Sequence, residues 1–349
     1  MVTFILFIVI FGVVVISHEF GHFLLAKAGG IHVVEFSVGM GPNLFSFNKG
    51  DTKYSLKLLP IGGACMFEGE DGLNNEAGDD SPGSFNNANV WRRISTVLAG
   101  PVFNFILGAL IAAVMVCLIQ ISLPVVRVAE DSAALEAGLQ DNDRIISLNG
   151  DRVYLFEEIM LFNRVNGAKE VELVFERDGQ LMSTRLTPRY NPDSGSYVIG
   201  IYCNAAAQER GLARLKYAWY EMRFCVKQTY ESLLLLVRGQ VKREEMAGPV
   251  GIAVNVVGKT YTQAKEYGWM TVLVNMLNIT LLLTINLGIL NLLPIPALDG
   301  GRLVFLLVEV LRGKPVPPEK EGMVHFVGLM FFMGLMLVVF FNDLRNIFG

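Results

Sequence analysis

Long apolar runs alternate with polar stretches along this chain, and four of the runs are long enough for a bilayer, which takes about 20 mostly apolar residues in a helix. Val2 to Ser17 is almost unbroken Ile, Val, Phe and Leu; His18-Glu-Phe-Gly-His22 interrupts it, and Phe23-Leu-Leu-Ala26 resumes it. The first span is predicted over 3–27. A secretory signal peptide fits poorly, because no Lys or Arg precedes the apolar core and no small-x-small site closes it. A second span is predicted over 94–123, with Gly100, Pro101 and Asn104 inside it, a third over 271–293 and a fourth over 324–341. Pro294 and Pro296 stop the third, and 298–311 reads as a shorter apolar helix. Four spans put both termini on one side.

Between spans two and three the period changes. Val125–Val128 reads as a strand, and Ser132-Ala-Ala-Leu-Glu-Ala-Gly-Leu139 as a short helix with a Ser cap. Asp143–Gly150 reads as a strand closed by an Asn-Gly turn, and Val171–Arg177 and Leu181–Leu186 as a hairpin around Asp178-Gly179. About 80 residues of this kind can form one small core. From Leu212, the spacing Leu212, Leu215, Trp219, Met222, Val226, Leu233 and Leu236 makes a helical apolar stripe, with Arg210, Arg214, Lys216, Arg223 and Lys227 beside it. Such a helix lies on a membrane surface or packs on the small domain. The predicted organisation is a half-membrane domain over 1–123, a small α+β domain over 124–205, an amphipathic helix and linker over 206–270, and a second half-membrane domain over 271–349.

Composition agrees. Hydrophobic residues make up 52% and charged residues 18%, against about 25% charged in an ordinary soluble domain. The net charge of −4 and the lack of a long basic run exclude nucleic-acid binding. Four scattered cysteines, none in a CxxC pair, exclude a disulfide scaffold; Cys203 and Cys225 can pair on an oxidising side, and otherwise all four are free thiols. Charge also orients the chain. Lys49, Lys53, Lys57, Arg92 and Arg93 lie between spans one and two, and Arg302, Arg312, Lys314 and Lys320 between spans three and four. Positive charge stays inside, so both connections are expected in the cytoplasm, and the termini and 124–270 outside.

The chemistry sits where the spans are interrupted. His18 and His22 are one helical turn apart and can hold one Zn²⁺, with Glu19 as general base toward a water on the ion. Ionisable groups are costly at membrane depth and functional by default there. The second interruption is Asn291-Leu-Leu-Pro-Ile-Pro-Ala-Leu-Asp-Gly-Gly301. Its prolines break the helix, which membrane depth tolerates only under protein or beside water. Asp299 there can be a third ligand, leaving a fourth position open as a catalytic site requires.

With these two motifs the sequence resembles the site-2 protease family of intramembrane zinc metalloproteases, and within it the RseP/RasP-like bacterial branch. Gly39-Met-Gly-Pro42, Ile61-Gly-Gly63 with Glu68-Gly-Glu70, Ala99-Gly-Pro-Val-Phe-Asn104, Gly248-Pro-Val-Gly-Ile252 and Phe341-Asn-Asp343 extend the likeness over nearly the whole chain. The stretch 132–150 resembles a PDZ domain of the bacterial protease type. Some members carry two such domains in tandem; this chain has room for one, which takes the ground from a two-gate model of substrate selection.

The resemblance implies a polytopic α-helical membrane protein of the bacterial cytoplasmic (inner) membrane, with His18, His22 and Asp299 holding Zn²⁺ and Glu19 catalytic. It implies that Asn291 contacts the substrate backbone or the developing oxyanion. It also implies a membrane-associated β-hairpin over the strand-like stretches Glu35–Gly39 and Thr52–Leu59. The expected substrates are transmembrane segments of single-pass proteins such as anti-sigma factors, or remnant signal peptides, cut in the lipid bilayer. Two other readings are weighed. A transporter needs ligands but no base between them, and shows inverted repeats, which this chain lacks. An inactive helix-binding relative has no need of an intact HEFGH and Asp299.

Overall fold

The computed structural model describes residues 2–69, 81–192, 195–207, 211–241 and 246–348; Glu70 and Arg210, both named above, lie outside them. The chain forms two compact units, 1–111 with 236–349, and 112–235.

Helix α1, Val2–Ala28, buries Phe7, Ile10, Val14, Val15, His18, Gly21, His22 and Ala26. Their spacing of mostly three and four residues marks one face. Phe4, Ile5, Val9, Val13, Ile16 and Phe20 are exposed on the rest, as in a helix with lipid around it. Strands β1, Val33–Lys49, and β2, Thr52–Phe67, follow. Asn43–Lys49 pairs with Thr52–Lys57, while each of Glu35–Val38 has two partners, one in 53–56 and one in 63–66. The tip of this hairpin exposes Leu44, Phe45, Phe47, Leu56 and Leu58. Helix α2, Val90–Leu118, starts behind Asn89, whose side chain accepts from the Trp91 N–H at 2.9 Å. It ends short of the expected 123, because Ile121–Ser122 is drawn into a strand, β3, paired with Ala206–Ala207.

The inserted unit carries β4 (Val126–Val128), α3 (Ala133–Glu136), β5 (Arg144–Leu148), β6 (Asp151–Arg152), α4 (Phe156–Asn166), β7 (Val171–Arg177), β8 (Gln180–Leu186), β9 (Arg189–Asn191), β10 (Ser196–Val198), β11 (Ile201–Cys203), β12 (Ala206–Ala207) and α5 (Ala213–Val237). Four strands pair in the order β6-β5-β7-β8, around a core that includes Val126, Leu139, Ile145, Leu148, Ile159, Val171, Leu173 and Phe175. Ser132 caps α3, accepting from the Leu135 N–H at 3.1 Å. Asp178 and Gly179, both at positive φ, make the tight β7–β8 turn that their sequence predicts. One face of α5 packs on this unit: Tyr220 stacks on Tyr154 with centroids 4.2 Å apart, Arg223 pairs with Glu158, and Lys227 with Asp151 at 3.2 Å. Leu212, Leu215, Trp219, Val226 and Tyr230 remain exposed. All four cysteines are free.

The chain then re-enters the first unit. Much of the expected linker is helical: α6 (Pro249–Gly251) runs through a π-helical turn, Ile252–Gly258, into α7 (Lys259–Ala264). Its valines and glycines lack a helical apolar period, so the pattern did not reveal it. Asp343 accepts from the Gly248 and Gly251 N–H groups at 3.0 and 2.8 Å and fixes this entry. Helix α8, Trp269–Leu292, α9, Asp299–Arg312, and α10, Pro318–Phe348, complete the unit. Helices α1, α2, α8 and α10 are the four long and apolar enough to cross a membrane among the described residues.

Candidate metal centre

Three side chains from distant parts of the sequence converge. His18 Nε2 and His22 Nε2 are 3.2 Å apart, and Asp299 Oδ2 lies 3.1 Å from the first and 3.3 Å from the second. Both histidines are buried and Asp299 is largely so. Oδ2 is enclosed, yet neither short contact to it has hydrogen-bond geometry. A tetrahedral ion with ligand bonds of about 2.0–2.1 Å spaces its ligands about 3.3–3.4 Å apart. The observed spacing and the orphaned carboxylate oxygen therefore fit a cation, and the N₂O donor set fits zinc.

Local structure explains each position. The helical period aims both imidazoles the same way. His22 Nδ1 is 2.8 Å from the Thr96 carbonyl; a carbonyl only accepts, so Nδ1 carries the proton and Nε2 keeps its lone pair for the centre. Asp299 is brought in by the break after α8. Ala297 sits at φ 72°, a left-handed position that is uncommon for a side-chain-bearing residue, and its N–H donates to His325 Nδ1 of α10 at 3.0 Å. Close backbone approach does the rest. A methyl on Gly100 would lie 2.6 Å from His22 Cε1 and 2.8 Å from His18 Cε1; one on Gly301 would lie 3.0 Å from the Ile295 carbonyl carbon.

Glu19 stands between the histidines, turned toward β2. A methyl on Gly63 of β2 would come within 2.9 Å of its Cγ. Asn291 reaches the centre too, with Nδ2 3.4 Å from His18 Nε2. All five residues singled out in the sequence thus meet at one place. Thr96 and His325 carry no sequence signal of their own, and Gly63 and Gly100 are visible as members of the motifs Ile61-Gly-Gly63 and Ala99-Gly-Pro-Val-Phe-Asn104, Gly100 also as a glycine in an apolar span. A backbone carbonyl such as that of Thr96 leaves no mark in sequence.

The family model for peptidase family M50 matches residues 6–335. The chain belongs to this family. It is 34% identical to the regulator of sigma-W protease RasP of Bacillus subtilis, over 99% of both chains, and 33% identical to the zinc metalloprotease RasP of Geobacillus kaustophilus, over 98% of this chain and 97% of that one. The first alignment runs over 427 positions, more than the 349 residues of this chain, so that relative carries insertions absent here. A Clostridium acetobutylicum protein aligns at 34% over 337 residues. Members of this family are site-2 proteases, and this chain is accordingly a zinc metalloendopeptidase built around membrane-spanning helices, with a β-rich domain inserted between them.

Proposed function

We propose that the chain cleaves transmembrane segments of single-pass membrane proteins, with His18, His22 and Asp299 holding the zinc and Glu19 as the general base. The observation that carries this is the 3.1–3.3 Å triangle of donor atoms with a glutamate beside it inside a membrane helix. His18, His22 and Asp299 would hold the zinc, which would supply Lewis acidity toward the scissile carbonyl and toward a water. Glu19 takes the proton of the attacking water and passes it to the leaving amine. Asn291, whose Nδ2 lies 3.4 Å from His18 Nε2, would donate to the carbonyl oxygen as it gains charge.

A substrate helix must unwind before its carbonyls can react. The hairpin supports such a step through the last part of β2, beyond the strand-like stretch Thr52–Leu59. Tyr54–Leu56 already has partners on both sides, whereas it is Gly63–Cys65 that passes Glu19. An extended substrate would lie along Gly62–Phe67. The exposed apolar tip of the hairpin and of α5 fit contact with lipid. The inserted domain, read as PDZ-like, would receive or screen substrate tails outside the cytoplasm. One relative's name ties it to sigma-W regulation, which favours membrane-bound anti-sigma factors as substrates here, with remnant signal peptides as a second source. Labelling of the exposed Cys203 by an impermeant maleimide in intact cells tests the orientation; protection there with labelling after lysis would reverse it.

The deciding experiment is cleavage of a detergent-solubilised single-span peptide by the wild type and Glu19→Gln, each with its bound zinc measured. Cleavage by the wild type alone, with zinc in both, is the expected result. Equal cleavage by both would remove Glu19 from the mechanism.

A further inference from the structure

His22 has an unambiguous acceptor behind it; His18 does not. Its Nδ1 faces the Asn104 amide, with Nδ2 3.1 Å away. Asn104 is fully buried, and in this orientation its Oδ1 has no partner. The orientation cannot serve a ligand. An imidazole that binds a metal through Nε2 carries its proton on Nδ1, and a proton there needs an acceptor, as metal-bound histidines generally have. An amide meets this need by turning half a revolution about its last torsion, which exchanges O for N in nearly the same space. The backbone holds Asn104 ready: Thr284 of α8 donates to its carbonyl at 3.1 Å, and a methyl on Gly288 of α8 would lie 3.4 Å from its Cβ, so the two helices are in close contact there.

We infer that Asn104 is the positioning residue of His18, its amide oxygen accepting the Nδ1 proton so that Nε2 is presented to the metal. Thr96 and Asn104, both on α2, then do the same task for the two histidines of α1, one through a backbone carbonyl and one through a side chain. This rests on the proposed function only in taking His18, His22 and Asp299 as the zinc site, and its readout is binding, not cleavage.

Zinc affinity of the full-length protein in detergent, measured by competition with a chromophoric chelator, tests it with Asn104→Asp and Asn104→Leu. Aspartate accepts but cannot donate, so it discriminates between the two orientations. The expected result is that Asn104→Asp stays within about threefold of wild type, while Asn104→Leu weakens zinc by about 10- to 100-fold, the usual effect of losing such a partner. Far-UV circular dichroism and the thermal midpoint establish that each variant is folded; Asn104→Ala replaces the leucine variant if that one is not. Loss in Asn104→Asp equal to that in the truncation, or no loss in the truncation, overturns the inference. Failure of the wild type itself to bind zinc would instead overturn the reading of the metal site.

Discussion

Replacing Gly100 by alanine adds one carbon and two hydrogens, yet the structure predicts that it dismantles the metal centre. The new methyl would sit 2.6 Å from His22 Cε1 and 2.8 Å from His18 Cε1. Carbon atoms rest at about 3.5 Å or more, and the ligating His22 Nε2 lies closer still to the new methyl, so something must move by roughly 1 Å. The His22 ring is held on its far nitrogen by the Thr96 carbonyl at 2.8 Å. Helix α2 meets α1 again at Gly21, where a methyl would lie 2.8 Å from the Ala99 carbonyl carbon. The strain therefore falls on the ligand rings. Overpacking of this size costs about 1–3 kcal/mol of stability, and a displacement near 1 Å at a reacting centre costs about 100-fold in rate. Gly12→Ala is the control: it lies on α1, the helix that carries both histidines, with nothing within 4 Å, and exchanging Gly for Ala in a helix favours it by up to about 1 kcal/mol. Zinc content after dialysis against a weak chelator, and peptide cleavage, are measured for both. Gly100→Ala with wild-type zinc retention and cleavage would refute the packing described here.

Two further predictions follow from groups outside the ligand set. His325→Phe keeps a ring against Phe305 but leaves the Ala297 N–H without its acceptor; zinc affinity should fall about 10- to 100-fold, read by the same chelator competition, whereas an unchanged affinity would mean that the Asp299 loop holds itself. In the inserted domain, burial first and then the nearby Glu157 and Glu158 push Glu221 up from its ordinary 4.5 to about 7; of these neighbours, Glu158 is paired with Arg223. A carboxyl raised on folding binds its proton more tightly when folded. Its favourable contribution is complete below about pH 4.5 and is lost as pH rises toward 7, by up to about 3 kcal/mol. Glu221→Gln should flatten that fall, so that its thermal midpoint exceeds wild type at pH 8 by more than at pH 5; equal differences at the two pH values would contradict the assignment.

The elements legible in the sequence were those whose cause is local. The helical spans follow from run length, the β7–β8 turn from Asp178-Gly179, and the start of α3 from Ser132. The pentad at 18–22 and the carboxylate at 299 were legible because polar residues in apolar runs need a reason. What escaped were features set by the partner segment. The segment 249–264 is helical because Asp343, some ninety residues later, receives its first N–H groups. The hairpin alternates well enough to be seen as two strands, but the doubled partners of Glu35–Val38 depend on β2 curling back past β1, and no periodicity records that. The second span stopped early because two short strands closed over its end.

The glycines show how lipid-embedded helices can bring ligands from residues 18, 22 and 299 within 3.3 Å of one another. Apolar burial does not pull helices together in a bilayer, so close association rests on contact of backbones at small residues. Here α1 meets α2 at Gly21 and Gly100, and α10 meets the Asp299 loop at Gly328, where a methyl would lie 2.8 Å from the Pro296 carbonyl carbon. The loop itself closes on Gly300 and Gly301. Each contact lies within a few residues of a ligand or of the loop that carries one. The donor spacing is thus set by backbone against backbone at Gly21, Gly300 and Gly301, and by backbone against the ligand rings at Gly100. It follows that small-to-larger changes at Gly21, Gly100 and Gly301 should act on zinc affinity before they act on helix content, and that bulk added at Gly12 or Gly334, both in open space, should act on neither.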